Sequence, residues 1–226
     1  MSCDGTTPND SCESDEDPVH AVNLDAYHVD EYEVSASQYK ACVDGGGCTA
    51  AYTGGSCTDN VSRKETHPIN CVDWNQATEY CRWSGKRLPT EAEWEKAARG
   101  TDQRIFPWGD TSPDCTYANF HPGSGCVGAT TPVGSYPLGV SPYGAYDMVG
   151  NASEWVSDWY GSEYYTQSPY QNPTGPSSGS DRVRRGGSWY GTGALVRSGY
   201  RLGNNPSTRS GAMGFRCART PQFFEL

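Results

Sequence analysis

Two features of this 226-residue chain could do chemistry: ten cysteines and the run "RGGSWYGTGALVRSGYR" at 185–201. A cysteine thiolate is a nucleophile and a soft-metal ligand. The 185–201 run is framed like an active-site segment, with a glycine pair, Trp189, and Arg197 and Arg201 four apart. Residues 182–216 nevertheless contain no cysteine, so no thiol within the segment can act there. The histidines, His20, His28, His67 and His121, are scattered and show no metal-triad spacing. No Cys-x-x-Cys pair is present, which disfavours zinc.

Bulk properties narrow the classes further. A formal charge of −10 excludes a nucleic-acid partner, which needs clustered Lys and Arg to displace counterions. No apolar stretch approaches the roughly 20 residues of a membrane span. Ten cysteines with 27 Gly and 15 Pro describe a loop-rich chain held by disulfides in an oxidising compartment. The expected localisation is therefore secreted or cell-surface, with any signal sequence outside this chain.

Local patterns give the elements that must position these groups. Residues 1–17 read as an acidic extension packed on or tied to the domain through Cys3 and Cys12, and 18–226 as one domain. Strands are expected at 19–24 and 27–34, then a short helix "ASQYKACVD" capped by Ser35. Residues 44–70 form a Gly/Thr/Ser-rich excursion stapled by cysteines. Asp73 caps a helix burying Trp74, Ala77 and Cys81, and Gly85 stops it. Thr90 and Glu93 form a capping box for a second strong helix, with Trp94, Ala97 and Ala98 inward and Gly100 at its end. Beyond residue 101 only short β-prone pieces occur, and 161–181 reads as a Tyr-rich exposed loop. Asn9 and Asn60 open formal glycosylation sequons.

Taken in order, "HPINCVDWNQATEYCRWSGKRLPTEAEWEKAARG", "FPWGD", "TPVGSYPLGVSPYGAYDMVGNASEWVSDWY", "RVRRGGSW" and "GFRCAR" resemble the formylglycine-generating enzyme, or sulfatase-modifying-factor, family. The resemblance spans roughly residues 18–219. It implies an irregular α+β, C-type-lectin-like fold with two main helices and short antiparallel strands. It also implies an activity, conversion of a sulfatase cysteine to formylglycine by two cysteines that bind copper. Counted from the glycine pair, those two cysteines fall on Gly191 and Val196, neither of which supplies a thiolate. No copper is therefore expected, and the run at 185–201 becomes a frame without its reacting groups. Gly186, Gly187 and Trp189 are then explained by close backbone approach and core filling, and Arg197 and Arg201 by carbonyl or carboxylate pairing.

The resemblance further implies a disulfide between Cys81 and Cys217, and a calcium site made by Asp147, Glu154 and the carbonyls of Gly150 and Ala152. A second site at Asn119 and Phe120 is incomplete, because its expected Asp falls on Gly125. Cys115 and Cys126 are the next pair, closing a loop after "FPWGD"; three connectivities stay open for Cys42, Cys48, Cys57 and Cys71.

The favoured reading is a non-catalytic extracellular binding or structural module. It presents loops 160–180 and 190–205 to a protein or glycan partner or to neighbouring subunits, with Trp189, Tyr190, Thr192, Leu195, Val196, Tyr200 and Leu202 as contact residues. A more specific form is a variable ligand-binding protein of a diversity-generating retroelement, since 190–205 contains only residues that randomised Asn codons reach. The competing readings are a cysteine-modifying enzyme with relocated catalytic groups and a regulatory paralogue of a true formylglycine generator. An iron sulfoxide synthase, which shares the fold, is disfavoured by the scattered histidines.

Overall fold

The computed structural model describes residues 13–59, 61–121, 123 and 125–221. Cys3, Cys12 and both sequon asparagines lie outside the described residues. Three α-helices form: α1 (Ala36–Asp44), α2 (Trp74–Trp83) and α3 (Glu91–Arg99). Each opens on a complete capping box, in which the cap side chain accepts an amide of the first turn and the third residue returns a bond to the cap. For α3 the two bonds are Glu93 N to Thr90 Oγ1 at 3.2 Å and Thr90 N to Glu93 Oε2 at 2.8 Å. Ala77, Cys81, Trp94, Ala97 and Ala98 are buried as their spacing requires. Trp74 is only half-buried, because its indole reaches across to donate to the Val156 carbonyl at 2.7 Å.

Strands are few and short, six among the described residues: β1 (His28–Val29), β2 (Ser153–Trp159), β3 (Arg182–Arg185), β4 (Arg201–Asn204), β5 (Met213–Gly214) and β6 (Ala218–Arg219). Four of them make a sheet in the order β4-β3-β2-β5, antiparallel except for the parallel β2·β5 pair, while β1 and β6 pair antiparallel by themselves. The long strands expected at 19–24 and 27–34 do not form. The first is reduced to a bridge between Asn23 and Gln171, and the second to the two residues of β1. Beyond β1, Asp30 N donates to Cys217 O and Glu31 O accepts from Tyr146 N, and the Arg216 guanidinium donates to the carbonyls of both Asp30 and Glu31, so side-chain bonds supplement a ladder that has nearly ended.

Three apolar clusters make the core. The first packs α1 and α2 around Tyr39, Tyr80, Trp155 and Phe215; the second packs α3 against Met148, Val156 and Val183; the third gathers Phe106, Ala118, Phe120, Val149 and Val196. Four disulfides staple the loops among the described residues: Cys42–Cys48, Cys57–Cys71, Cys81–Cys217 and Cys115–Cys126. The first two close the connectivity that spacing left open and pin the 44–70 excursion at both ends. Residues 161–181 depart from a plain exposed loop. Tyr165, in a 3-10 turn at Tyr164–Thr166, is buried under His20, with ring centroids 4.9 Å apart.

Candidate functional site

β3 delivers the glycine pair, and geometry leaves no alternative to glycine there. Gly186 and Gly187 have φ of +88° and +65°. A Cβ on Gly186 would lie 2.6 Å from the Met148 carbonyl oxygen, and one on Gly187 2.3 Å from that of Leu195. The turn seats Trp189, whose backbone N–H donates to Asn151 O and whose indole donates to Gly211 O, each at 3.0 Å. The Gly191 carbonyl then accepts from His121 N at 2.7 Å, and a 3-10 turn follows at Gly193–Val196.

The two positions onto which the sequence resemblance places cysteines, Gly191 and Val196, are filled by structure. Val196 is fully buried among Phe106, Ala118, Phe120 and Val149. Gly191 is buried, though a Cβ there would meet its nearest neighbours at ordinary contact distances of 3.4–3.5 Å. No cysteine is free among the described residues.

The arginines of this segment pair with carboxylates, as expected. Arg197 holds Glu16 through two bonds of 2.6 Å, both groups buried, and so fastens the 3-10 turn Ser14–Glu16 to the segment. Arg201 grips Glu91 of α3 at 2.8 and 2.7 Å and also donates to Asp15 O and Gly161 O. Glu16 and Glu91 were invisible as partners, since nothing local in the sequence connects residues 181 or 110 positions apart.

Of the proposed contact residues, Tyr190 is 72% exposed and Thr192 is exposed, with Trp189 and Leu195 half-buried beside them. The Tyr190 ring stands edge-on to Trp189 at 5.6 Å and 6.4 Å from His121. Val196 and Tyr200 do not serve as contacts. Both are buried, the first by the apolar cluster and the second at the end of the turn that feeds β4. Leu202 is half-buried on β4, opposite Arg184.

The acid pair occupies a buried ionic knot. Glu154 is bonded twice over by Arg216, at 2.7 to 3.0 Å, and accepts from the Trp94 indole at 2.7 Å. Asp147 Oδ2 accepts from Gly134 N at 2.6 Å. Sequence reasoning missed a third member, Glu33, which accepts from Ala152 N at 2.9 Å and from the Asn151 side chain at 2.7 Å. No local signal marks it, because "EYEV" reads as an alternating exposed strand. Burial pushes Asp147 up to about 6, and Glu154 adds to this against the lowering pull of Gly134 N–H and Arg216. Burial, then Asp147 and Glu154, push Glu33 well above the carboxylate range. Asn119 donates its amide to Ala129 O at 2.7 Å, and its Oδ1 is buried without a hydrogen-bond partner; the Phe120 carbonyl accepts from Cys126 N at 3.0 Å. Among the described residues no three His, Cys, Asp or Glu side chains converge as a ready metal cluster.

A short-stranded α+β scaffold, capped helices and a glycine-framed C-terminal segment define the lectin-like class to which the sequence motifs pointed. The chain belongs to the sulfatase-modifying factor enzyme 1-like domain family, whose model matches residues 3–221. It is 40% identical over 173 residues to the formylglycine-generating enzyme of Mus musculus, which covers 70% of this chain and 46% of that one. It is also 36% identical over 225 residues to the serine/threonine-protein kinase pkn1 of Chlamydia caviae, covering 91% of this chain and 35% of that one. The chain thus spans less than half the length of these two relatives. Among solved structures, Treponema denticola variable protein 1 superposes with a TM-score of 0.75 at 28% identity, covering 89% of this chain and 87% of that one.

Proposed function

We propose that this domain is a non-catalytic binding module of an oxidising, extracellular setting, with the turn around Tyr190 as its contact surface. The observation that carries the reading is the fate of the two family cysteine positions. One is a valine sealed in an apolar cluster and the other a buried glycine, while Tyr190 and Thr192 on either side of that glycine stand outward. Tyrosine supplies a broad amphipathic contact area at low entropic cost. The similarity to Treponema denticola variable protein 1 supports the more specific form, in which residues on this turn vary over a fixed frame. The four disulfides support the oxidising compartment. The test is incubation with copper(I), dioxygen and a cysteine-bearing sulfatase peptide. No aldehyde is expected by mass spectrometry and no copper is retained after desalting; conversion of the peptide would overturn the reading.

A calcium ion at the Asp147–Glu154 turn is part of this proposal. The donor chemistry supports it: two buried carboxylates, Asp147 and Glu154, lie with one guanidinium, Arg216, whose carboxylate bonds go to Glu154, and Glu33, raised well above the carboxylate range, stands beside them. Asp147, Glu154 and the Gly150 and Ala152 carbonyls would hold the ion. The unpartnered Asn119 Oδ1 is the remaining oxygen suited to a second ion. Chelation followed by calcium addition should raise the melting temperature by several degrees and give a calorimetric binding isotherm, with magnesium much weaker. An unchanged melting temperature and no binding heat would remove calcium from the proposal.

A further inference from the structure

A second concavity lies between the outer face of α3 and the segments 19–24 and 164–173, a cleft of about 440 Å³ that the contact turn does not use. Glu91, Glu95 and Arg99 line it at the spacing that stacks side chains on one helix face, with Ala92 and Lys96 beside them. Val19, Ala21, Val22 and Leu24 supply an apolar wall. That wall is fixed by backbone bonds from Asn23 N to Tyr170 O and from Asn172 N to Asn23 O. Its floor is the Tyr165 ring, with His20 at 4.9 Å and the Arg201 guanidinium 4.3 Å from its centroid.

Behind the floor runs a chain of buried ion pairs. Glu91 pairs with Arg201 and Arg185, and Glu95 with Arg185 and Arg99. Arg99 stands at the open end of this chain. Its Nη1 donates to Glu95 at 3.1 Å, while its Nε is buried with no hydrogen-bond partner, in a residue only 6% exposed. A buried, unmatched guanidinium N–H costs free energy unless something accepts from it. The third acid of the lining, Asp158, is itself occupied: its Oδ2 accepts from Glu91 N and Ser157 Oγ at 2.9 Å each. Half-exposed Lys96, on the same face, adds a second cation.

We propose that this cleft is a binding site for a small carboxylate carried on an apolar or aromatic body. The acid end meets Arg99 and Lys96, and the body lies against the apolar 19–24 wall beside α3. The cavity volume is in the range of small-ligand pockets. The acid end has two natural sources, a free organic acid or the C-terminal carboxylate of a peptide, with the same recognition chemistry. This inference is independent of the Tyr190 surface.

The test is an amide and arginine-side-chain NMR titration of the intact chain with phenylacetate, phenylacetamide and the free acid of acetyl-Ala-Phe. Phenylacetate is expected to shift the Arg99 Nε–H and the Ala92 and Thr101 amides, and to bind at least about tenfold more tightly than phenylacetamide, which lacks the charge. Acetyl-Ala-Phe binding better than phenylacetate would assign the peptide source, and the reverse order the free acid. Lys96→Gln, at a half-exposed position where folding is not at stake, should weaken phenylacetate about threefold and leave phenylacetamide unchanged. Equal response to acid and amide, or shifts confined to residues outside the cleft, would overturn the proposal.

Discussion

Asp158 sits where its charge is least welcome. It is 2% exposed, its Oδ2 accepts from Glu91 N and from Ser157 Oγ, and burial followed by the charge of Glu91 raises it to about 7. A folded-state value above the ordinary one means that the folded protein binds the extra proton. Its contribution to stability is therefore full below about pH 4 and is lost as pH rises toward 7. Asp158→Asn preserves an oxygen for both donors and removes the charge. Thermal melts from pH 5 to 8 should show the variant gaining on the wild type as pH rises, by a few kcal/mol at pH 8. Parallel curves would show that the carboxyl is stably ionised in the fold. The same scale shows what a sequence can disclose. That Arg197 and Arg201 pair was readable from their frame, but Glu16, Glu33 and Glu91 became partners only through long-range folding.

Helices and strands differ in how openly they announce themselves. Ser35/Gln38, Asp73/Gln76 and Thr90/Glu93 each encode a helix start in four residues, and all three boxes close in space with both of their bonds. The strands carry no comparable local code. Most of the described ones are two to four residues long, and the backbone at 30–31 mixes single backbone bonds with bonds from the Arg216 side chain. The C-terminal segment behaves similarly. Its glycine pair was legible as a close approach, yet the turn Gly193–Val196 that drives Val196 inward and leaves Tyr190 outward has no apolar periodicity to reveal it. The acid knot was half legible: Asp147 and Glu154 stand in a motif, whereas Glu33 arrives from 118 residues away to accept from Asn151.

At the scale of the whole molecule, regular hydrogen-bonded ladders are too short to hold so many loops, and cross-links take over that role. Cys81 in α2 is joined to Cys217 just before β6, across 136 residues, whereas Cys42–Cys48 closes only 6. In the loop-closure view the stabilisation grows with the logarithm of the loop, giving about 5 kcal/mol for the long link and about 2 kcal/mol for the short one. For a chain of this size a kcal/mol moves the melting temperature by about 2–4 °C. The double variant Cys81→Ala/Cys217→Ala should therefore melt roughly 10–20 °C lower than the parent, and Cys42→Ala/Cys48→Ala no more than about 4–8 °C lower. Scanning calorimetry on both, under one calcium concentration, distinguishes two views of the scaffold. If the long-range link dominates, α2 and the last strands are held as one body chiefly by restriction of the unfolded chain. Equal losses from the two variants would instead place the stability in local packing around each sulfur pair, and the buried ionic knots at Arg216 and Arg185 would then be the groups that join the C-terminal strands to the helices.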